Sequence, residues 1–471
     1  MEFTEICDYR VEPGLVVEWT PVPAASARPE PDPRPPSHLQ EAHFHQKLPV
    51  RGAANRQPSW LAVGFDLPGP LDPAALRAAV LRWTDRHETL RSGFRLRGGE
   101  VERFTAGTGE LALREREVGE FDHSGPLVDH LRGFFDAGTD LLTWPAFALA
   151  TISRAGSSTV CMAFDHSNVD GYSILLVPHE IRELHEQERT GQRRQLPETA
   201  SYVDACRLER QRTSGSQAAL VGEWADFLTA CGGAAPEFPM PTSAPGEQPV
   251  AQGGLHQLLL DADDAEAVDA HCRAAGGSAF SGSLLALRAA AGDHPLRALL
   301  LLHTRSAPEW AHSVGWYVSL GPLEIATEER QDLDAGLDRV GRAVRRAKEL
   351  AAVPHPKLQD ELSRPVVPRF VVSYMDMRPT PGSESWHGWN AQALHAQSSS
   401  TDEVYLWINR SAEGIHITGR YPGTATAERN VRDYVDRVRE ALRCLASTGT
   451  CRTADPADDL VRLAAGPENE R

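Results

Sequence analysis

The pattern His166-x-x-x-Asp170 contains the residues of this sequence that are best placed to do chemistry. Residues 160–164 are apolar and partly β-branched, which predicts a buried strand, and this character stops at Asp165 and His166. Because Asp170 and Gly171 begin a predicted helix, the pattern lies on a tight strand-to-helix connection. Imidazole is the commonest protein base for taking a proton from a hydroxyl or an amine. A carboxylate at such a turn more often fixes the geometry.

This stretch, His166-Ser-Asn-Val-Asp170-Gly171, resembles the HHxxxDG signature of nonribosomal peptide synthetase condensation domains and polyketide-associated acyltransferases. His166 corresponds to the second histidine of the signature, which carries catalysis in that family. Asp165 stands where the first histidine is found. Since a lone His-x-x-x-Asp pattern also occurs by chance in many proteins, the resemblance needs support from other parts of the chain.

Two further stretches resemble the same family and occur in the same order. Residues 86–94 are similar to its RHExLRxxF stretch, where the role is structural and a helix packs on the first sheet. Arg305, followed by residues 314–323, is similar to an arginine followed by a GxFVNTLPL-like stretch, with Ser319 in place of the asparagine. The resemblance implies that Arg305 pairs with Asp170. The alternative is a surface arginine at the end of a strand.

The resemblance implies an α+β fold of two lobes, each similar to chloramphenicol acetyltransferase, arranged in a V with the active-site tunnel between them. Strands mixed with helices, without strict βαβ alternation, independently favour an α+β protein with mixed sheets. We place the first lobe at residues 1–195, the second at residues 196–455 and a polar tail at residues 456–471.

The implied reaction is direct transfer of an acyl group from a thioester to an amine or alcohol, with His166 as general base. Backbone donors near Gly171 would stabilise the oxyanion, and Asp170 with Arg305 would hold the loop. We expect Asp165 to point away from the reacting atoms, because neighbouring strand residues face opposite sides. The side chains expected along the tunnel are Asp165, Tyr172, Trp316, Ser319 and Tyr374.

No permanently bound cofactor is expected, and the implied donor is a phosphopantetheine thioester on an acyl or peptidyl carrier protein, or a coenzyme A thioester. The sequence contains no GxxxxGK[ST], GxGxxG or GxSxG motif, which disfavours nucleotide cofactors and serine-hydrolase chemistry. His43 and His45 lie in a polar segment without a cysteine or acidic partner at ligand spacing. We therefore predict no metal site.

Composition narrows the partners and the compartment. The chain has 48 basic and 65 acidic residues, and a net charge of −17 disfavours nucleic acids and anionic membranes. Seven scattered cysteines without a CxxC pair are typical of reduced thiols in a cytoplasmic protein. We therefore predict a free-standing cytoplasmic condensation enzyme of nonribosomal peptide or polyketide biosynthesis. The alternative is a catalytically silent condensation-like module that binds carrier proteins or recruits partner enzymes. The retained His166 and Gly171 favour the enzyme.

Prolines and glycines set four further expectations about individual elements. Residues 21–36 are expected to form a polyproline-like surface excursion, and residues 232–254 a long loop. Pro178 is expected to kink or restart the helix that follows Gly171. Residues 316–319 and 323–326 are expected to form separate strands.

Overall fold

The chain folds into two mixed sheets with helices on both faces of each, together with a small third sheet, which confirms the predicted two-lobed α+β class. The computed structural model describes residues 1–48, 58–192, 195–215, 217–247, 250–327, 332–396 and 402–451. In this described part of the chain, no helix is both long and apolar enough to cross a membrane.

The strands of these residues carry the following bounds. In chain order they are β1 (Glu2–Glu5), β2 (Leu15–Pro23), β3 (Glu30–Asp32), β4 (Trp60–Pro68), β5 (Ser92–Arg97), β6 (Glu100–Thr105), β7 (Leu111–Glu120), β8 (Phe147–Ser153), β9 (Ser157–Asp165), β10 (Val250–Asp261), β11 (Leu296–His303), β12 (Val318–Ile325), β13 (Phe370–Asp376), β14 (Gln392–His395), β15 (Val404–Ser411) and β16 (Gly414–Gly423).

The α-helices of the same residues alternate irregularly with the strands. In chain order they are α1 (His38–Lys47), α2 (Pro73–Arg86), α3 (Ser124–Gly138), α4 (Gly171–Thr190), α5 (Tyr202–Arg212), α6 (Ala218–Ala230), α7 (Ala262–Ala274), α8 (Ala279–Ala290), α9 (Leu333–Leu350), α10 (His355–Leu362) and α11 (Ala425–Thr448).

The first sheet has the strand order β1-β14-β4-β9-β8-β2-β7. Its pairs are antiparallel except β1 with β14, which are parallel. Apolar side chains of α2 and α4 cover one face of this sheet, and those of α3 cover the other. Strand β9 therefore lies at the centre of the first lobe and is buried on both faces, as its continuous apolar run predicts.

The second sheet has the order β10-β16-β15-β13-β11-β12. Strand β13 is parallel to both of its neighbours, β11 and β15. Helices α7, α8, α9 and α11 pack on one face, and α6 and α10 pack on the other. Strands β3, β6 and β5 form the small third sheet. Strand β14 belongs to the second half of the chain but pairs with β4 in the first sheet.

The predicted surface excursion at residues 21–36 is only partly correct, because β2 continues through Pro21 and Pro23. Strand β8 pairs with β2 only from Leu15 to Trp19, whereas β7 pairs with β2 along its full length. The two prolines therefore lie where one side of β2 has no neighbour in the ladder. A missing N–H is tolerated at such an edge position.

Helix α4 runs from Gly171 to Thr190 without a restart at Pro178, so that part of the expectation is wrong, whereas a kink there stays a prediction. A proline inside a helix removes one hydrogen bond and crowds the carbonyl four residues earlier, here that of Ile174. Tertiary packing outweighs this cost, because Ile174, Val177 and Ile181 are fully buried in the core between α2 and the sheet.

Two other predictions of local structure also change. The strands expected at residues 316–319 and 323–326 are a single strand, β12, which contains Pro322. This strand is at the edge of the second sheet, where a proline costs no ladder bond on its open side. Strand β10 begins at Val250 and so occupies the end of the loop expected at residues 232–254.

The division into lobes at residue 195 stays a prediction, although β14 shows that the first sheet takes a strand from the second half of the chain. The tail predicted at residues 456–471 lies outside the described residues.

Candidate active site

His166 is held in place by the central strand of the first lobe. The N–H of Asp165, the last residue of β9, donates to the carbonyl of Ala146 at 3.0 Å. The N–H of His166 donates to the carbonyl of Ser59 on the other side, at 2.9 Å. Hydrogen bonds to the segments on both sides fix this backbone. The imidazole therefore projects from a rigid part of the core.

The His166 ring has a defined orientation. Its Nδ1 lies 2.8 Å from the carbonyl oxygen of Val169, so Nδ1–H donates to this acceptor and Nε2 carries the lone pair. The ring stacks at a tilt on Trp316, with 4.6 Å between centroids. Burial lowers the pKa of His166, with a further contribution from the nearby His43, and this favours the neutral imidazole that a general base requires.

Asp170 and Arg305 form a bidentate ion pair between the two lobes, as predicted. Arg305 Nη1 donates to Asp170 Oδ2 at 2.6 Å, and Nη2 donates to Oδ1 at 3.0 Å. The side chains are only 7% and 3% exposed, respectively, so water screens this pair little. Burial acts to raise the pKa of Asp170, but the Arg305 guanidinium and the Ser173 hydrogen bonds outweigh it, and the pKa is lowered.

Asp170 also joins helix α4 to the segment before β12. It is the N-cap of α4, where its Oδ1 accepts from the N–H of Ser173 at 2.7 Å, and its Oδ2 accepts from the N–H of Tyr317 at 3.0 Å. Ser173 Oγ donates to the carbonyl of Gly315 at 2.9 Å and accepts from Arg305 at 2.8 Å. One carboxylate therefore fixes the turn after His166, the start of α4 and the position of the second lobe.

Glycine is required at position 315 because the backbone there lies against an aromatic ring. A Cβ at Gly315 would approach the ring of Tyr202 to 2.3 Å. The hydroxyl of Tyr202 in turn donates to the carbonyl of Trp316 at 2.9 Å. This contact places the Trp316 ring against His166.

Asp165 has partners of its own. Its Oδ1 accepts from the N–H of Ser167 at 2.8 Å, and its carboxylate lies 3.3 Å from Nε2 of His43. Burial acts to raise the pKa of Asp165, but His43 and the Ser167 hydrogen bonds outweigh it and lower that pKa. The carboxylate is thus directed at the turn and at helix α1, in agreement with the expected structural role.

His43 is a titratable residue at this site that the sequence analysis did not assign to it. It is buried on α1, its Nε2 also lies 3.3 Å from Ser59 Oγ, and its ring meets Trp316 edge-on at 5.7 Å between centroids. The signal that predicts the start of α1 is the capping box of Ser37 and Gln40. Gln40 and His43 are three residues apart, and both are buried in the structure. The imidazole of His43, on α1, thus lies beside Asp165, which stands where the family signature has its first histidine.

The remaining predicted site residues divide into those near Asp170 and those elsewhere. The ring of Tyr172 faces the guanidinium of Arg305 at 4.9 Å. Gly171 opens α4, where the first backbone N–H groups have no partners within the helix. Ser319 donates to the carbonyl of Ala351 at 2.7 Å, and Tyr374 lines a separate cavity of about 360 Å³ in the second lobe. The structure does not bring these last two to His166.

A cavity of about 120 Å³ lies between β1 and the second sheet. Its lining includes Phe3, His256, His395, Trp407 and Arg420. Phe3 also lies 3.7 Å from the position of a Cβ on Gly171, so the cavity adjoins the start of α4. Burial lowers the pKa of His395 to about 3, assisted by the positive charge of Arg420 and by His166. The wall therefore combines aromatic rings with charged groups, namely the guanidinium of Arg420 and the carboxylates of Glu5 and Asp8.

The stretch at residues 86–94 has a structural role, as predicted. Buried Glu180 of α4 accepts from Trp83 Nε1 at 2.8 Å, and His87 Nε2 lies 2.6 Å from the same carboxylate. Arg86 donates to its other oxygen at 3.2 Å. These contacts fasten α2 to α4, the helix that begins at the candidate site, and they engage Nε2 of His87 with Glu180.

Comparison with solved structures finds the same fold in acyltransferases and condensation domains. The PapA2 acyl transferase matches with a TM-score of 0.84 and 21% identity, over 95% of this chain and 100% of that one. The condensation domain of the Monacolin K polyketide synthase MokA matches with a TM-score of 0.70 and 15% identity, over 92% of this chain and 100% of the domain.

Sequence comparison finds relatives over the full length. The 2'-acyl-2-O-sulfo-trehalose (hydroxy)phthioceranyltransferase PapA1 of Mycobacterium tuberculosis is 25% identical, over 100% of this chain and 93% of its own length. The trehalose-2-sulfate acyltransferase PapA2 of the same organism is 25% identical, over 96% of this chain and 99% of its own length. The family model of the condensation domain matches residues 35–455. The chain therefore belongs to the condensation-domain family and is an acyltransferase.

Proposed function

We propose that this acyltransferase moves an acyl group from a thioester to a hydroxyl group, with His166 as the general base. The observation that carries the proposal is the state of the His166 ring. Its Nδ1 is engaged by Val169 and its pKa is lowered, so a neutral imidazole offers the Nε2 lone pair at physiological pH. A base in this state can accept a proton from an alcohol as the alcohol attacks a carbonyl.

The reaction begins with attack of the acceptor and ends with release of the thiol. Nε2 of His166 accepts the proton of the acceptor hydroxyl while the oxygen forms a bond to the thioester carbonyl carbon. The N–H of Gly171, in the first turn of α4, stabilises the oxyanion of the tetrahedral intermediate. The carbon–sulfur bond then breaks, the ester is released, and the imidazolium returns its proton to the thiolate. No acyl-enzyme is formed.

Asp170 and Arg305 act by positioning. Their bidentate contact holds the loop from His166 to α4 against the second lobe, and neither side chain touches the proton that moves. Trp316, on the segment that Asp170 fixes, limits rotation of the His166 ring. A base held in this way loses less freedom when the acceptor binds.

The relatives support a hydroxyl acceptor. Both named mycobacterial enzymes are named for sulfated trehalose, a sugar that offers hydroxyl groups and no amine. The aromatic wall formed by Trp407, His395 and Phe3 suits the flat faces of a sugar ring. We assign the donor to the class of coenzyme A or carrier-protein phosphopantetheine thioesters. The full-length likeness to acyltransferases favours this enzyme over a silent recruitment module.

The test is an acyl-transfer assay with the purified full-length chain, using mass spectrometry to detect the ester. Donors are coenzyme A thioesters of increasing chain length, and acceptors are trehalose and trehalose-2-sulfate, with a simple amine in parallel. His166→Ala should lower turnover by about two to four orders of magnitude, the usual contribution of a positioned base. His123→Ala is the matched control, because His123 is exposed and makes no side-chain capping bond at the start of α3.

Each outcome bears on a separate part of the proposal. A folded His166→Ala protein with wild-type turnover would exclude His166 as the base. Amide formation without ester formation would replace the hydroxyl acceptor with an amine. If the same acyl group reacts from a carrier-protein phosphopantetheine but not from coenzyme A, the donor is the carrier-bound form.

A further inference from the structure

A group of three side chains that could bind a metal includes His256, which lines the cavity of about 120 Å³. The group consists of Glu2, His256 and His416, and their ligand atoms all lie within 4.8 Å of one another. Nε2 of His256 is 3.9 Å from Oε1 of Glu2. Among the described residues this is the single group of at least three histidine, cysteine or carboxylate donors at such distances.

The two histidines meet because of the register between β10 and β16. His256 pairs with Thr418, and Leu258 pairs with His416, so the two imidazoles are diagonal neighbours on one face of the second sheet. Their rings are nearly parallel, with 15° between planes and 5.6 Å between centroids. These ligands are far apart in sequence, which explains why a search for local ligand spacing predicted no metal site.

Glu2 reaches the histidines from the other lobe. It belongs to β1, which pairs with β14 at the edge of the first sheet. The next residue, Phe3, lines the cavity and lies against the start of α4 at Gly171. A ligand shared by Glu2 and the two histidines would therefore connect the first strand to the second sheet beside the cavity.

The donor atoms suit a divalent transition metal. Nδ1 of His416 is buried and has no hydrogen-bond partner in the described part of the chain, an arrangement that costs free energy unless a ligand uses the atom. Two imidazoles and one carboxylate are a known zinc donor set, with bonds of about 2.0–2.2 Å. Glu2 and His256 are exposed, so their side chains can rotate to close the remaining distance. The net charge of −17 also attracts cations.

We propose that Glu2, His256 and His416 form a Zn²⁺ site that fastens β1 of the first lobe to the second sheet. Three protein ligands leave a fourth position of a tetrahedral ion to water. The bound ion fixes the strand that carries Phe3, and so it stabilises the rim of the cavity next to α4. This site is separate from acyl-transfer chemistry and does not depend on the proposed substrate.

Isothermal titration of the full chain with Zn²⁺ tests the site directly. One ion should bind per chain, and Mg²⁺ should not bind in its place, because imidazole ligands suit zinc and not magnesium. His256→Ala and His416→Ala should each weaken binding by at least about tenfold, since even the outer contacts of metal sites have effects of this size. His294→Ala is the matched control, because His294 is exposed on the turn before β11, and it should leave the affinity unchanged.

The experiment has to distinguish zinc binding by the proposed ligands from zinc binding by a cysteine. Cys7 is exposed and close in sequence to Glu2, so Cys7→Ser is titrated alongside and should bind Zn²⁺ as the wild type does. Titration with Co²⁺ should give the visible bands of a tetrahedral site without a thiolate charge-transfer band. Zinc binding that persists in a folded His256→Ala/His416→Ala protein, or that is lost in Cys7→Ser, would overturn the proposal.

The connection between lobes has its own test. Glu2→Ala should weaken Zn²⁺ binding and should reduce the rise in melting temperature that Zn²⁺ produces. If Glu2→Ala binds the ion as the wild type does, the site belongs to the second sheet alone and the proposed fastening of β1 is wrong.

Discussion

The two ends of the loop that carries His166 are each held by a buried aspartate, but the two aspartates have different partners. Asp170 is bound by a guanidinium from the second lobe, through two hydrogen bonds, and by backbone N–H groups from both lobes. Asp165 is bound by one backbone N–H and by the imidazole of His43, both within the first half of the chain. Both carboxyl groups have a lowered pKa despite their burial.

The difference shows that equal burial does not mean an equal structural role. Loss of Asp170 affects the turn, the helix cap and the contact between lobes together, because one carboxylate serves all three. Loss of Asp165 affects only the turn and one side of α1. A guanidinium buried without its carboxylate partner is also costly, because it cannot lose its charge.

The largest expected effect is therefore that of Asp170→Ala. It leaves the guanidinium of Arg305 buried without its partner and removes the N-cap of α4. We expect the free energy of unfolding to fall by about 3–5 kcal/mol, the usual result of breaking a buried pair. Urea unfolding followed by circular dichroism measures this change. Asp129→Ala is the control, because Asp129 is 69% exposed in its pair with Arg132 and should cost at most about 1 kcal/mol.

The pH dependence of the same difference follows from the lowered pKa of Asp170. A carboxyl whose pKa is lower in the folded state contributes stability above its unfolded value, which is about 3.9 for aspartate. That contribution decreases as the pH falls through the folded pKa, because the proton then binds both states. The difference in the free energy of unfolding between the wild type and Asp170→Ala should thus be largest at neutral pH and should decrease in acid. A gap that widens in acid would contradict the charged pair.

The contact between lobes predicts that the effects of substituting Asp170 and Arg305 on the free energy of unfolding are not additive. The deviation from additivity should be smaller than the loss in either single variant. Asp170→Asn and Arg305→Ala each leave a buried partner unsatisfied, whereas the double variant leaves neither. The double variant should therefore lose less free energy of unfolding than the sum of the singles, by about 0.5–3 kcal/mol. Additive losses would show that the two residues are not coupled.

The parts of this site that the sequence predicts are those encoded locally or by motif. The apolar run before His166 predicts a buried strand, and Asp170 with Gly171 predicts the start of a helix, because both patterns depend on adjacent residues. Arg305 was predicted as the partner of Asp170 only through the resemblance to the family. No local pattern near Arg305 indicates a partner so distant in the chain.

The parts that the sequence does not predict depend on long-range pairing. Strand β14 is a short segment whose apolar residues would fit either sheet, and only its register with β4 places it in the first. His43 was considered with His45 as a possible metal ligand, whereas its position beside Asp165 depends on how α1 packs. Long-range packing also explains why Ser319 and Tyr374 do not lie at His166, although their strands fit the family pattern. Ser319 donates to Ala351, and Tyr374 lines the cavity of about 360 Å³ in the second lobe.

His43→Ala tests the weaker of the two aspartate contacts. It removes the imidazole that faces Asp165 and Ser59, and leaves the buried carboxylate with its Ser167 hydrogen bond. We expect a loss of about 1–3 kcal/mol in the free energy of unfolding, the cost of an unsatisfied buried group. His45→Ala, on the exposed face of the same helix, is the matched control and should be nearly neutral. A loss in His43→Ala as large as that in Asp170→Ala would remove the distinction between the two aspartates.

The smallest expected effect is that of Asp165→Asn on the pH dependence of acyl transfer. The general base must be neutral, so kcat/KM should rise with pH through the pKa of His166. Because burial lowers this pKa, the midpoint of the acidic limb in the wild type should lie below the ordinary histidine value of about 6.5.

Removal of the Asp165 charge should lower the pKa of His166. The charge acts to raise the pKa of His166, whereas burial and His43 act to lower it, so Asp165→Asn should move the acidic limb to lower pH. The displacement should be small, because the carboxylate is directed at Ser167 and His43 and its charge is largely compensated there. Profiles of kcat/KM for the wild type and Asp165→Asn should therefore nearly overlay. A displacement of about one pH unit corresponds to about 1.4 kcal/mol of interaction between the two groups. That result would make Asp165 a residue that tunes the base, and its role would then be closer to that of Asp170 than the contacts indicate.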